Sequence, residues 1–223
     1  NTFSGMHAGY FNTIGSLNSF VGSHVGVKNI NGNRNAFLGF KAGYNNVSGS
    51  KNSYYGVASG FGNTSGSFNT AIGHNAGFTG STFNNTTAIG YNAQNTASNQ
   101  VRIGNTAVTS IGGYAAWTNL SDGTMKKNVK ENVKGIDFIM ALRPVTYKID
   151  MDALADKLNV PEESRMYEEE AVKGNIIQTG FIAQEVAQAA EELGYEFSGV
   201  DLPENEDDMY GLRYAEFVVP LVK

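Results

Sequence analysis

A serine and a lysine near the middle of the chain could act as a nucleophile and its base. Ser121 is followed five residues later by Lys126, in the stretch Ser121-Asp-Gly-Thr-Met-Lys126. A serine hydroxyl attacks an acyl carbon only when a base accepts its proton, and a lysine can be that base only where burial lowers its pKa. The pair is a very weak signal by itself, and an uncut loop on a folded cap is the alternative.

Other residue types offer less chemistry. His7 and His24 share one position of a repeat, but the other copies carry Lys, Ala or Asn there, so this column predicts a solvent face rather than a metal site. Five carboxylates between Asp201 and Asp208 lack the spacing of an EF-hand, which favours a solvated loop. The absence of cysteine excludes disulfides and thiolate metal sites. We expect neither a metal nor a cofactor.

Composition changes sharply near residue 120. Residues 1–120 contain five Lys or Arg and no Asp or Glu, whereas residues 121–223 hold all 21 acidic residues. The few basic residues of the first half do not cluster with aromatic residues, which argues against nucleic-acid binding. Because no run of 18 apolar residues occurs, we expect no membrane insertion.

The first half is an uninterrupted repeat of seventeen residues. In five copies an asparagine stands four positions before a shared glycine. The glycines are Gly5, Gly22, Gly39, Gly56, Gly73 and Gly90. A strict period without insertions indicates that every copy occupies the same place in a stacked coil. The repeat therefore predicts a rod.

Two apolar columns precede the shared glycine. Phe20, Phe37 and Tyr54 lie two places before it, and Val21 and Leu38 lie one place before it. Successive side chains of a strand face opposite ways, so we expect both faces to be buried, in a narrow β-solenoid with glycines at its corners. So thin a coil holds one layer of side chains, which favours several copies packed side by side. We interpret this as a parallel homotrimer, although the sequence itself indicates only that the chain is not a monomer.

Two further columns each allow two interpretations. The asparagines before the glycines predict a stacked amide ladder that satisfies backbone groups, with a binding stripe as the alternative. Aromatic residues recur after a second glycine, where packing between copies is favoured over stacking on sugar rings. These residues are Tyr10, Tyr44, Phe61 and Phe78.

The repeat fails after Gly90, and the second half has a different pattern. We expect solenoid repeats over residues 1–98, a neck over 99–120 and an α+β domain over 121–223. In that domain the pattern predicts helices over 134–142 and 183–193, strands over 145–149 and 176–181, and a charged insertion over 151–175. A further helix begins at Tyr214 and is cut short. With Asn at residue 1 and no signal peptide visible, we expect a fragment of a longer protein.

Both halves resemble known families. The phrase Asn-x-x-x-Gly-x-x-Ala-Gly, over residues 1–104, resembles the head repeats of trimeric bacterial adhesins and fibre proteins, which form parallel trimeric β-rolls. Four separated segments of residues 121–223 resemble, in order, the intramolecular chaperone domain of phage tail spikes and endosialidases, the S74 peptidase family. They are the Ser121 stretch, Leu142-Arg-Pro-Val-Thr-Tyr147, Gly180-Phe-Ile-Ala-Gln-Glu-Val186 and Tyr214-Ala-Glu-Phe-Val-Val-Pro-Leu-Val222.

The second resemblance implies a function and a site. Such a domain trimerises, aligns three chains so that the preceding β-structure folds, and then cuts itself off before the motif serine. The implied scissile bond is Leu120–Ser121, with Ser121 as nucleophile, Lys126 as its partner and Asp122 orienting the turn. Thr124 departs from the family, which often carries a basic residue there. The last helix would continue into a three-stranded coiled coil.

We therefore expect a trimeric fibre or tail-spike protein, located on a virion or a bacterial surface, whose chaperone domain is released after assembly. One alternative is a permanently uncleaved surface adhesin in which the second half is a cap. Another makes residues 1–98 a head that binds a host-surface glycan or receptor. Cleavage at Leu120–Ser121 separates the first two, and sugar binding by the isolated trimer tests the third.

Overall fold

The computed structural model describes residues 1–223 and contains two compact units. One unit comprises residues 1–109, 149–176 and 204–208, and the other comprises 110–148, 177–203 and 209–223. Two segments of the second half of the sequence therefore belong to the solenoid unit. This division differs from the domain ranges expected from composition, in which residues 121–223 stood together.

The solenoid unit is built on a parallel sheet with one short strand from each coil. Its strands are β1 (Thr2–Ser4), β2 (Ser19–Val21), β3 (Ala36–Leu38), β4 (Ser53–Tyr55), β5 (Thr70–Ile72), β7 (Thr87–Ile89) and β9 (Val101–Ile103). A second parallel pair joins β6 (Gly77–Phe78) to β8 (Gln94–Asn95). The seventeen-residue period sets the register, so Phe20 lies beside both Phe3 and Phe37. The predicted solenoid is confirmed.

The ladder continues past the end of the strict period. Thr87 pairs with Val101 and Ile89 with Ile103, so the last coil is shorter but keeps its strand in the sheet. The backbone N–H of Gly104 donates to the Ile89 carbonyl at 2.8 Å. The residues that this coil lacks are therefore missing from its turns and not from its strand.

The inner face of the sheet forms the core of the solenoid. Phe20, Phe37 and Tyr54 are buried, and their rings stack at 4.7–4.8 Å between neighbouring coils. Where this column changes to alanine at Ala71, the ring of Phe78 occupies the interior and lies 6.2 Å from that of Tyr54. Phe78 is 5% exposed, which corrects the expectation that its whole aromatic column packs between copies.

The outer face of the same strands is exposed in the single chain. Val21, Leu38, Tyr55, Ile72 and Ile89 are each between 38% and 48% exposed, and they follow one another along the rod. The two apolar columns therefore do face opposite ways. Only the inner one is buried within the chain, and the outer one forms a row that we call the apolar stripe.

Asparagines form two buried ladders along the coils. In the first, the backbone N–H of Asn35 donates to Asn18 Oδ1 at 2.9 Å, and Asn35 Nδ2 donates to the Gly49 carbonyl at 2.8 Å. The amide ladder expected at this column is confirmed. The second ladder repeats side chain to side chain, with donor–acceptor distances of 2.7 Å. Its members are Asn12, Asn29, Asn46 and Asn63.

The corners explain the invariant glycine. Gly39 has φ +133°, and a Cβ there would lie 2.4 Å from the carbonyl oxygen of Gly56 in the next coil. No side chain fits such an approach. Two other positions of each coil hold the left-handed conformation with residues that are not glycine, among them Leu17 at φ 60° and Ala58 at φ 52°.

The rest of the chain is α+β, as predicted. In order it contains a 3₁₀ turn (Gly123–Met125), α1 (Ile136–Ala141), β10 (Val145–Tyr147), α2 (Met151–Lys157), a 3₁₀ turn (Glu162–Ser164), α3 (Tyr167–Gly174), β11 (Gln178–Gly180), α4 (Ala183–Glu192), β12 (Val200–Asp201), β13 (Gly211–Leu212), a 3₁₀ turn (Tyr214–Phe217) and α5 (Val218–Val222). The charged insertion folds as α2 and α3. Gly194, with φ 57°, follows the end of α4 as expected.

The second unit has its own small core. Val186, Ala189 and Ala190 lie on one face of α4 because positions three and four apart are neighbours on a helix. They pack with Phe138 of α1 and with Phe217, whose ring lies 4.9 Å from that of Phe197. Strands β10 and β11 form an antiparallel pair in which Val145 lies opposite Gly180.

Candidate functional site

The structure brings Ser121 and Lys126 into hydrogen-bonding contact. Lys126 Nζ donates to Ser121 Oγ at 2.9 Å. The 3₁₀ turn between them reverses the chain, because the backbone N–H of Lys126 donates to the carbonyl of Gly123 at 3.2 Å. A sequence separation of five residues becomes a direct contact for this reason. In this geometry Lys126 can accept the proton of the Ser121 hydroxyl only when its own amine is neutral.

Asp122 caps this turn. Its Oδ1 accepts hydrogen bonds from the backbone N–H of Thr124 at 2.9 Å and from the Thr124 hydroxyl at 2.8 Å. These two bonds to the ionised carboxylate lower the pKa of Asp122. Thr124, the departure from the family pattern, thus supplies both bonds that fix the turn, one from its backbone and one from its hydroxyl. Neither bond joins Asp122 to Ser121 or Lys126.

The surroundings of the pair are open. Residues 109–132 are all exposed, and Leu120 on the amino-terminal side of the expected scissile bond is 84% exposed. A protein environment shifts a lysine towards its neutral form mainly by removing water. The fold of one chain places the two groups in contact but does not remove water from around them.

The remaining candidate positions are structural. His7 Nδ1 lies 3.2 Å from His24 Nε2 on an exposed face, and no group of three or more His, Cys, Asp or Glu residues is arranged to hold a metal ion. In the acidic loop, Asp208 is only 7% exposed and accepts hydrogen bonds from Thr96 and Gln100. The expectation of a solvated loop is therefore wrong for Asp208, although Glu204–Asp207 are exposed.

A family model identifies the segment that begins at the serine. Residues 121–195 match the model of Peptidase_S74, chaperone of endosialidase. The match starts at Ser121 itself and covers about a third of the chain. No curated protein and no solved structure matches the chain significantly.

The S74 match and the solenoid together fit a tail-spike-like protein with a chaperone domain. This family indicates self-cleaving peptidase activity in general. The S74 family is one of chaperones of trimeric phage tail spikes and endosialidases, which are virion or extracellular proteins. No helix of this protein is both long enough and apolar enough to cross a bilayer.

Proposed function

We propose that the S74 region assembles three solenoids side by side and then cuts its own chain between Leu120 and Ser121. The observation that carries the proposal is the 2.9 Å contact between Ser121 Oγ and Lys126 Nζ, at the first residue of the S74 match. The contact lies in an exposed segment that follows the solenoid in sequence, so a cut there divides the chain into residues 1–120 and residues 121–223.

The chemistry follows from the position of the serine directly after the scissile bond. Neutral Lys126 takes the hydroxyl proton, and Ser121 Oγ attacks the Leu120 carbonyl carbon through a five-membered ring. The C–N bond breaks, the lysine returns the proton to the Ser121 nitrogen, and an ester joins Leu120 to Ser121 Oγ. Water then hydrolyses the ester, leaving a carboxylate on Leu120 and a free hydroxyl on Ser121. One water molecule is consumed and no cofactor is needed.

Assembly of several copies would remove the water that surrounds Ser121 and Lys126 in the single chain. The apolar stripe gives copies of the solenoid a continuous surface to bury against one another, and isolated apolar rows of this length are uncommon on monomers. Shielding of the junction by neighbouring copies would remove water from around Lys126 and favour its neutral form. Cleavage would then follow assembly, which prevents the loss of the chaperone before the register of the strands is set.

Intact mass spectrometry of the expressed chain tests the proposal. We expect fragments 1–120 and 121–223 from the wild type, and only the intact chain from Ser121→Ala and Lys126→Ala. Lys127→Ala is the matched control, because it removes an adjacent charge of the same kind and should still cut. Hydroxylamine added during cleavage should convert Leu120 to a hydroxamate, because it attacks the ester. Cleavage of Ser121→Ala at the wild-type rate would exclude the serine mechanism.

A permanently uncleaved adhesin is the second candidate. The open surroundings of Ser121 and Lys126 favour it, and so does the inclusion of residues 149–176 in the solenoid unit. Trimers that remain intact through purification and prolonged incubation, with the apolar stripe buried, would support this candidate over the first.

A further inference from the structure

Two segments of the S74 side of the chain are built into the end of the solenoid. Residues 149–176 and 204–208 belong to the same compact unit as residues 1–109, and we call them together the end cap. Both lie after Leu120–Ser121 in sequence. Every contact between the end cap and the coils therefore joins the two products of the proposed cut.

Asp208 makes the most buried of these contacts. Its Oδ1 accepts a hydrogen bond from Thr96 Oγ1 at 2.5 Å and another from Gln100 Nε2 at 3.0 Å. Asn205 adds a third bond, from its Nδ2 to the Thr96 carbonyl at 3.0 Å. Thr96 is 1% exposed and Asp208 is 7% exposed, so water does not compete freely for these bonds.

Gln100 links this contact to the fold of the last coil. Its Oε1 accepts from the backbone N–H of Thr96 at 2.9 Å and from that of Ala97 at 3.1 Å, while its Nε2 donates to Asp208. The carboxylate thus binds a turn that is already ordered by the solenoid, and little further ordering is needed when the two meet.

A second contact lies on α3. Lys173 Nζ donates to the carbonyl of Thr106 at 2.6 Å, and burial lowers the pKa of Lys173. Beside it, Arg165 and Glu170 form an ion pair at 2.6 Å in which both side chains are nearly buried. Glu170 Oε1 also accepts from the Thr106 hydroxyl at 3.5 Å, so this ion pair lies against the same coil residue as Lys173.

The scissile bond is separate from all of these contacts. Residues 109–132 are exposed throughout. The coil-binding residues of the end cap come later in the chain and are Ser164, Met166, Glu170, Lys173, Asn205 and Asp208. Cutting the chain at Leu120–Ser121 removes a covalent link and none of the hydrogen bonds. The contacts that hold the end cap to the coils survive the cut.

We propose that the carboxy-terminal product stays on the shaft after cleavage, held by the end cap, with the Asp208–Thr96–Gln100 contact as its main attachment. Its binding partner is the last coil of the same solenoid. This proposal rests on the proposed function in one respect, namely that self-cleavage makes the cut between Leu120 and Ser121.

The experiment makes the cut without self-cleavage. The recognition sequence of a specific protease is inserted after Gly113, in the full-length Ser121→Ala chain, because a side chain at Gly113 would meet nothing within 4 Å. After digestion we expect the two fragments to co-elute in equal amounts in size-exclusion chromatography. Complete separation under native conditions would overturn the proposal, and it would leave self-cleavage untouched.

Asp208→Ala tests the attachment, and Asp207→Ala is its matched control, since both remove one carboxylate but Asp207 is exposed. Loss of hydrogen bonds to a buried charged group should speed dissociation about ten- to a hundredfold. Surface capture of the shaft fragment, with dissociation followed over time, measures this directly. Equal dissociation rates for the two variants would refute the role of Asp208. Circular dichroism of the uncut variants shows whether each is folded.

Discussion

The second asparagine ladder should be a main source of stability in the solenoid, and Asn46 is the residue on which to test it. Asn46 is fully buried; its Nδ2 donates to Asn29 Oδ1 at 2.7 Å, and its Oδ1 accepts from Asn63 Nδ2 at 2.7 Å. The carbonyl of Gly49 also accepts from Asn46, but it retains a 2.8 Å bond from Asn35 when Asn46 is replaced.

Replacement of Asn46 by alanine breaks two short buried bonds and leaves one acceptor and one donor without those partners. Each group left unsatisfied costs about 1–3 kcal/mol, so the ladder should lose about 3 kcal/mol of stability at this coil. Neighbouring Asn45 is the control, because its Nδ2 makes one exposed bond to the Phe61 carbonyl at 3.0 Å. Asn45→Ala should cost less than about 1 kcal/mol.

Hydrogen exchange followed by mass spectrometry measures the difference locally, which suits a repeat protein whose coils can open separately. A loss of about 3 kcal/mol corresponds to roughly a hundredfold faster exchange of protected amides. The amides to follow are those of Gly43, which donates to Ser59, and Val47, which donates to Thr64. Equal exchange in Asn46→Ala and Asn45→Ala would refute the view that the ladder stabilises the stack. Asn46→Asp should exchange faster still, since it buries a charge and stacks acceptor on acceptor.

Two further predictions concern the corners and the serine turn. Ala58→Gly should raise the unfolding temperature by a few degrees, because relief of about 1–2 kcal/mol of strain in the left-handed backbone outweighs the greater flexibility of glycine in the unfolded chain. Gly60→Ala should lower the stability by about 2 kcal/mol or more, since the new Cβ would lie 2.4 Å from the Tyr54 ring. Thermal denaturation followed by circular dichroism compares the two, and a stabilised Gly60→Ala would contradict the geometry. The pKa of Asp122 is lower in the folded turn than in the unfolded chain. Its contribution to folding stability is therefore complete above the pKa of the unfolded chain, and it is lost as the pH falls through the lower pKa of the folded turn. Thr124→Val should therefore move the Asp122 pKa back up in a carbon-detected NMR titration, and an unchanged pKa would show that the hydroxyl does not hold the carboxylate.

The repeat made most of the solenoid predictable. A strict spacing of seventeen fixed which residues would stack, so the parallel register, the buried Phe20 column and the first amide ladder all followed from it. The second ladder was missed although Asn12, Asn29, Asn46 and Asn63 carry the same spacing. The seventeen-residue spacing of these asparagines is visible in the sequence. They lie outside the Asn-x-x-x-Gly-x-x-Ala-Gly repeat, at turn positions where asparagine is usually exposed to solvent.

The parts that escaped sequence reasoning depend on contacts between distant segments. Phe78 entered the core because Ala71 and Ala88 left room there, which is a consequence of two repeat columns acting together. The exposed environment of Ser121 and Lys126 is likewise a property of tertiary structure, since the 3₁₀ turn explains their contact but not their exposure to water. The position of Asp208 against Thr96 links residues more than a hundred apart, and no local pattern reports such a pairing.

Stacking also accounts for the absence of acidic residues from the coils, residues 1–104. Equivalent side chains of successive coils lie about 4.8 Å apart, so a carboxylate column would place like charges against one another along the rod. Asparagine has both a donor and an acceptor on one short side chain, so each copy can bond to the next one of its own kind. A shaft built this way has no carboxylates of its own to bond to polar groups such as the Thr96 hydroxyl and the Gln100 amide. Those groups therefore select an acidic partner from the second half of the chain, and Asp208 is the residue that meets them.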